Sequence, residues 1–289
     1  YSPTRKDKFF FDNLNIQPDL PDTTPPVLLN AQATSDTTIE AAFSEALDPV
    51  SASLASNFSI STVGQPVSAG LAPGNNSVAR IVLAQPLPQS GAYQLTASQV
   101  ADLAGNTSAS QTVDFQFIKI ETAANFDLVI NEIMADPSPV VGLPDLEWAE
   151  IFNRSGKYVN LQTLTFGESG GVVATLPNYV LPPDSIVVLC ATSSAAALSA
   201  ITPNVLALSS FPSLNNASDW LILARTDGEV INQVVYEAAW HTDPDKAEGG
   251  WTLERINPNL PCLGAANWMS SADPSGGTPG RRNSGFSDT

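Results

Sequence analysis

Apolar residues recur along this 289-residue chain in short runs, each closed within a few positions by Gly, Pro, Asn or Asp. That rhythm suits strands and tight turns and leaves little room for long helices. In Thr112-Val113-Asp114-Phe115-Gln116-Phe117 the alternation is strict, which puts one face of a strand in a core and the other in water. Composition points the same way. Charged residues are 14% of the chain, whereas about 25% is usual, so the surface relies on Ser, Thr, Asn and Gln. With 23 Pro and 18 Gly as turn markers, the fold class expected is all-β.

Strands are predicted at 27–33, 38–43, 78–83, 92–97 and 112–118, within a domain at 27–120. About seven strands in roughly 90 residues is the pattern of an immunoglobulin-like sandwich. After a joint at 121–126 the pattern restarts. Strands are expected at 127–134, 146–153, 163–166, 171–176, 185–190, 220–224 and 230–236, with one short Ala-rich helix in 191–201. This second domain is placed at 127–283 and a tail at 284–289. At the other end, Phe9-Phe10-Phe11 with Leu14 and Ile16 reads as one strand without a partner, and a lone strand does not fold. Residues 1–17 are therefore expected to be the last strand of an upstream β-domain. A stiff spacer follows at 18–26, with four prolines. The expected architecture is two tandem immunoglobulin-like β-sandwiches preceded by that strand.

The formal charge is −17, from 12 basic and 29 acidic residues. Nucleic-acid binding depends on neutralising phosphates, so a field of this sign opposes it, and an anionic membrane surface is opposed likewise. No apolar stretch approaches the ~20 residues of a membrane-spanning helix, and membrane insertion is not expected.

Two sets of motifs resemble known families. Phe43-Ser44-Glu45-Ala46-Leu47-Asp48-Pro49, Asn57-Phe58-Ser59-Ile60 and Leu103-Ala104-Gly105-Asn106 resemble the bacterial Ig-like domain of surface-layer proteins. The second half resembles a lamin-tail domain. It carries Ile130-Asn131-Glu132-Ile133, Glu147-Trp148-Ala149-Glu150-Ile151-Phe152-Asn153 and Val159-Asn160-Leu161. Gly250-Trp251-Thr252-Leu253-Glu254-Arg255, Asn267-Trp268 and Gly277-Thr278-Pro279-Gly280 follow in order. The stretch Asn257 to Cys262 leading to Asn267-Trp268 is similar to versions from the Bacteroidetes. The resemblance implies a second Ig-like sandwich and a secreted, cell-surface setting.

Candidate chemistry is sparse. Gly167-Glu168-Ser169-Gly170-Gly171 fits the G-x-S-x-G elbow, and Asp184 or Asp219 with His241 would complete a triad in chain order. That elbow needs a helix after the Ser, whereas a strand follows here, so a hairpin turn is the reading adopted. His241 is the only histidine, which excludes zinc sites built on two or three of them; its polar context reads as a surface loop without a role. Glu132, Glu147 and Glu150 are the nearest approach to a glycosidase pair, whose carboxyls stand ~5 Å apart in retaining enzymes. They sit in a motif with a structural use, and the sequence displays no aromatic-rich sugar cleft. No catalytic residue is assigned, and the chain is not expected to be an enzyme.

Calcium takes six to eight oxygen ligands, and Asp136, Asp145 and Glu147 bracket one Pro-rich loop that could supply some. Asp243 and Asp245 bracket another. Neither matches an EF-hand, so solvated acidic loops compete with a calcium site, and no other cofactor is expected. Cys190 and Cys262 are either two thiols or one disulfide; the disulfide is favoured because it agrees with secretion. Thr23, Thr37 and Ser185 lie in short D-[ST] patterns that resemble O-glycosylation acceptors of exported proteins.

The function expected is a non-catalytic structural and interaction segment of a large secreted or cell-surface protein. The Ig-like domain would be the spacer and the lamin-tail domain the docking module. Its partners would be other domains of the same protein or a cell-surface or secretion-system protein. The alternative is an adhesion module that grips a glycan or protein through sandwich-end loops, for which exposed Trp148, Trp240 or Trp268 would speak.

Overall fold

The computed structural model describes residues 21–288. The strand expected within 1–17 and the first three residues of the 18–26 spacer lie outside the described residues. The chain divides into two compact units, 1–118 and 119–289. Both are built from strands.

Among the described residues, unit 1 has seven strands: β1 (Leu28–Ala33), β2 (Thr38–Phe43), β3 (Phe58–Ile60), β4 (Ser68–Ala72), β5 (Asn75–Val82), β6 (Gly91–Ala97) and β7 (Gln111–Phe117). They form a four-stranded sheet, β1-β2-β5-β4, and a three-stranded one, β3-β6-β7. Alternate side chains of both sheets meet in one core that includes Ile39, Phe43, Phe58, Ile81, Leu95 and Phe115. The quoted motifs are its corners. Asp48 caps a one-turn helix, α1 (Pro49–Ala52), by accepting from the Ser51 N–H at 2.8 Å, with Pro49 at the first helical position. Asn57 is buried and its Nδ2 donates to the carbonyls of Ser51 and Gln99, which ties β3 to the helix and to the chain after β6.

Unit 2 contains β8 (Leu128–Met134), β9 (Trp148–Asn153), β10 (Val159–Asn160), β11 (Leu164–Glu168), β12 (Val173–Thr175) and β13 (Val180–Leu181). It continues with β14 (Ile186–Ala191), α2 (Ala195–Ser199), β15 (Val205–Leu208), β16 (Ser218–Arg225), β17 (Val230–Glu237), β18 (Leu253–Arg255) and β19 (Trp268–Ser270). A six-stranded sheet, β15-β14-β9-β8-β18-β19, packs on a four-stranded one, β12-β11-β16-β17. Their shared core includes Ile130, Ile151, Leu164, Phe166, Leu221 and Leu223. Ala149 belongs to it and is fully buried.

The six-stranded sheet is covered on both faces, which is why every residue of β8 is buried and its sequence does not alternate. One end of its second face holds a satellite cluster of Met134, Leu143, Trp148, Val188, Cys190 and Leu198. The middle is covered by the C-terminal residues 276–287. Ser287 N donates to Ile256 O at 2.9 Å and Thr252 N to Gly276 O at 2.8 Å. Residues 284–287, expected as a tail, are thus part of the domain. The same holds for the joint at 121–126: Ala123 is buried, Glu121 N donates to Tyr158 O, and Phe126 N donates to Ile231 O.

Candidate functional site

The outer face of the six-stranded sheet carries the densest polar chemistry among the described residues. β8 pairs with β9 and with β18, and the register sets Glu132 opposite both Glu150 and Glu254. A bulge between Ile130 and Glu132 shifts the phase of β8. Ile130 therefore faces the core with Ile151, while Glu132 faces outward with Glu150. Three carboxyls thus stand in a row across three strands, and all three residues are fully buried.

The C-terminal segment supplies most of their partners. Glu132 Oε1 accepts from Thr252 Oγ1 (2.6 Å) and from Thr278 N (2.7 Å). Glu254 Oε2 accepts from Ser284 Oγ (2.7 Å) and Gly285 N (3.2 Å). Glu150 accepts from Asn131 Nδ2 (2.8 Å) and Gly280 N (2.8 Å). Thr278 Oγ1 lies 3.1 Å from Glu132 Oε2 and 3.1 Å from Glu254 Oε1. One hydroxyl proton cannot serve two carboxylates well, so this geometry favours a proton held on the row. The electrostatics agree. Burial, reinforced by the charge of Glu254, pushes Glu132 up from 4.5 to about 8. Burial and the charge of Glu132 raise Glu150 well above the carboxylate range. Arg255 does not neutralise the row: its Nε donates to Ile130 O, and its guanidinium lies 4.7 Å from the Trp268 ring centroid.

Beside the row, the same C-terminal segment walls a groove of about 590 Å³ that Arg154, Arg281 and Arg282 line. Asn283 joins the two features, since its Nδ2 donates to Asn131 O and Arg255 O beneath the groove.

The remaining predicted residues are placed as follows. Ser169 occupies the turn between the antiparallel strands β11 and β12, and its N–H donates to Trp220 O. Gly167 is required there, because a Cβ would collide with the backbone of Val172 and Val173. His241 is half-buried rather than a free loop residue, and its Nδ1 lies 3.0 Å from Ser270 Oγ. Burial, aided by Lys246, pushes it down to about 4, so it is neutral at neutral pH.

Asp136, Asp145 and Glu147 do not converge. Asp136 lines a small cavity with His241 and Trp251, whereas Asp145 and Glu147 line another beside Phe211. Glu147 Oε2 is taken by Leu214 N. Among the described residues, the one group of three whose carboxylate oxygens come within 4.8 Å of one another is Asp22, Glu45 and Asp102 in unit 1. Asp102 already accepts from Asn106 N and Nδ2. Burial first, and then Asp22 and Asp102, raise Glu45.

The disulfide is corrected: both cysteines are free, Cys190 buried and Cys262 exposed. Cys190 lies on β14, and Cys262 lies in the loop after β18. β9 and β8 intervene in the sheet, which sets those strands about 14 Å apart at ~4.8 Å per strand. A disulfide needs Cα atoms within about 7 Å. The cysteines therefore lend no support to an oxidising compartment. Of the three proposed acceptors, Thr23 is exposed, Thr37 half-buried, and Ser185 half-buried with its hydroxyl on Pro183 O.

Trp148 and Trp268 are buried, and Trp240 is half-buried with its ring 5.9 Å from that of Trp268. The exposed tryptophan is Trp220, at 43%, on the outer face of β16. Alternation along β16 with Leu221 and Leu223 inward would have marked it.

Strands sandwiched around two cores define an all-β chain of two immunoglobulin-like units. Residues 15–118 match the family model described as Bacterial Ig-like domain, and residues 121–238 match the Lamin Tail Domain model. The chain carries a bacterial Ig-like domain followed by a lamin tail domain. The second match stops before β18, so Glu254 and the C-terminal cover lie beyond it. No curated protein matches the chain.

Among solved structures, the chain is similar to the N-terminal part of the bacterial S-layer protein SbsC, at 15% identity and a TM-score of 0.32. That comparison covers 74% of this chain and 44% of the other. It is also similar to rSbsC(31-844), at 12% identity and a TM-score of 0.31, covering 74% and 41%. The chain thus spans less than half the length of these structures, and scores this low do not establish a common overall fold.

Proposed function

We propose that the chain is a non-catalytic structural and interaction segment of a secreted or cell-surface protein. The bacterial Ig-like domain is the spacer and the lamin tail domain is the docking module. Its partners are other domains of the same protein or a component of the cell surface or secretion machinery. The observation that carries this reading is where the reactive residue types go. The buried glutamates are spent on holding the C-terminal segment against the sheet, His241 is neutral against Ser270, and Ser169 closes a hairpin. Among the described residues, the Ser270 hydroxyl beside His241 is buried, so a substrate would find no exposed nucleophile next to a base. The two domain types and the acidic, charge-poor composition support a place outside the cell. No helix among the described residues is long and apolar enough to cross a membrane.

The test is deletion of residues 121–288 from the full-length protein in its native host. The docking role predicts that the shortened protein is still made but is released from the cell surface. Unchanged surface retention together with loss of an enzymatic activity would contradict it.

A further inference from the structure

The arginine-lined groove of unit 2 goes beyond that reading. Twelve basic residues serve the whole chain; Arg5, Lys6 and Lys8 lie outside the described residues, and three of the other nine line this one groove. In a chain of net charge −17, such a concentration of arginine stands out, three guanidinium groups facing the carboxylates of Asp184 and Asp288 in the same lining. Neither Arg154 nor Arg282 has a carboxylate partner among the described residues. Arg154 donates to Phe126 O and Asn259 Oδ1, and the Arg282 guanidinium lies 4.1 Å from the Phe286 ring centroid. Arg281 is paired with Asp273 at 3.1 Å.

The rest of the lining is amphipathic. Phe152 and Phe286 add aromatic surface, the Phe286 ring carrying the Arg282 guanidinium on one face, while Asp184 and Asn204 offer acceptors for hydroxyl groups. Asp184 holds a φ of +52°, a left-handed conformation that Asp tolerates but few residues adopt. Such backbone concentrates where a side chain must be aimed. The volume of about 590 Å³ is in the range of small-ligand sites.

We propose that this groove binds a carbohydrate that carries a carboxylate group. The guanidinium of Arg282 meets the carboxylate in the forked geometry that arginine favours. The sugar ring lies against the phenylalanines, and its hydroxyls donate to Asp184 and Asn204. A bare inorganic anion would leave the rings and the acceptors unused. An extended acidic peptide is disfavoured because the groove is walled by loops and the C-terminal segment, with no free strand edge along it to pair with a backbone.

The experiment is calorimetric titration of the whole chain with trigalacturonic acid, with maltotriose and with a hexaglutamate peptide. Trigalacturonic acid is expected to bind with a dissociation constant below ~1 mM and maltotriose at least ~10-fold more weakly. Arg282→Glu, an exposed substitution, is expected to weaken trigalacturonate binding at least ~10-fold with an unchanged melting temperature. Arg282→Lys, which keeps the charge and loses the fork, should fall between. The proposal is overturned by failure of trigalacturonate to bind at ~10 mM, by equal binding to Arg282→Glu, or by equal binding of maltotriose. Arg282-dependent binding of hexaglutamate in place of the sugar would overturn it in favour of an acidic peptide.

Discussion

Replacing Glu132 with Gln removes one charge from the centre of the buried row while keeping the side chain's shape. A carboxyl whose folded pKa lies above its unfolded value stabilises fully below the unfolded pKa and loses that contribution as pH rises through the folded one. For Glu132 the window runs from 4.5 to about 8. At about 1.4 kcal/mol per pKa unit, the wild type should lose on the order of 2–3 kcal/mol between pH 6 and 9 from this group alone. Glu150 adds to the loss in the same direction. His241 has the opposite sign: its folded pKa of about 4 makes stability rise with pH, and that rise ends near 6.5, at the foot of the window. Cys190, pushed up to about 11 by burial, acts above the window.

The readout can be confined to this domain, because all five tryptophans (148, 220, 240, 251 and 268) lie in unit 2. Urea unfolding followed by tryptophan fluorescence should show the wild type weakening from pH 6 to 9 and Glu132→Gln weakening less, by the share that Glu132 contributes. At pH 6 Glu132 is protonated and Gln keeps a carbonyl acceptor and a donor in its place, so the variant should lie within about 1 kcal/mol of the wild type; at pH 9 it should be the more stable protein. A wild-type stability that is level or rising from pH 7 to 9, or a variant with the wild-type slope, would refute the reasoning.

Gly280→Ala should destabilise unit 2 by about 2–3 kcal/mol in the same fluorescence assay. Gly280 sits at φ +72°, and a Cβ there would fall on the Thr202 side chain. Asn57→Ala should cost unit 1 about 1–3 kcal/mol, because the carbonyls of Ser51 and Gln99 lose their partner in a buried place. Hydrogen exchange of the β3 and β6 amides should quicken accordingly, while the tryptophan-monitored transition of unit 2 stays where it was.

The strand rhythm and the turn at Ser169 were legible because each rests on local chemistry, alternation in the first case and a Gly-rich hairpin in the second. The glutamate row was not. Glu132, Glu150 and Glu254 are distant in sequence, and what aligns them is the pairing of β9, β8 and β18 together with a one-residue bulge at Asn131. Nor does the sequence tell which segment covers the second face of the sheet. Residues 284–289 read as a tail, yet Ser284 and Gly285 donate to Glu254 beside the Thr278 and Gly280 donors of the quoted motif. The Cys190 and Cys262 pairing failed for a related reason, since two strands that intervene in the sheet leave no trace in spacing. The arginine groove draws on segments from Asn131 to Asp288 and has no local motif.

The most direct test of a surface-displayed chain uses Cys262, an exposed free thiol beside a buried one. Intact cells of the native host would be treated with a membrane-impermeant maleimide, without reductant, and the protein mapped by peptide mass spectrometry. Display outside the cell predicts label at Cys262 and none at Cys190. Label at Cys262 that appears only after lysis would contradict that placement, and label that requires prior reduction would contradict the free thiols.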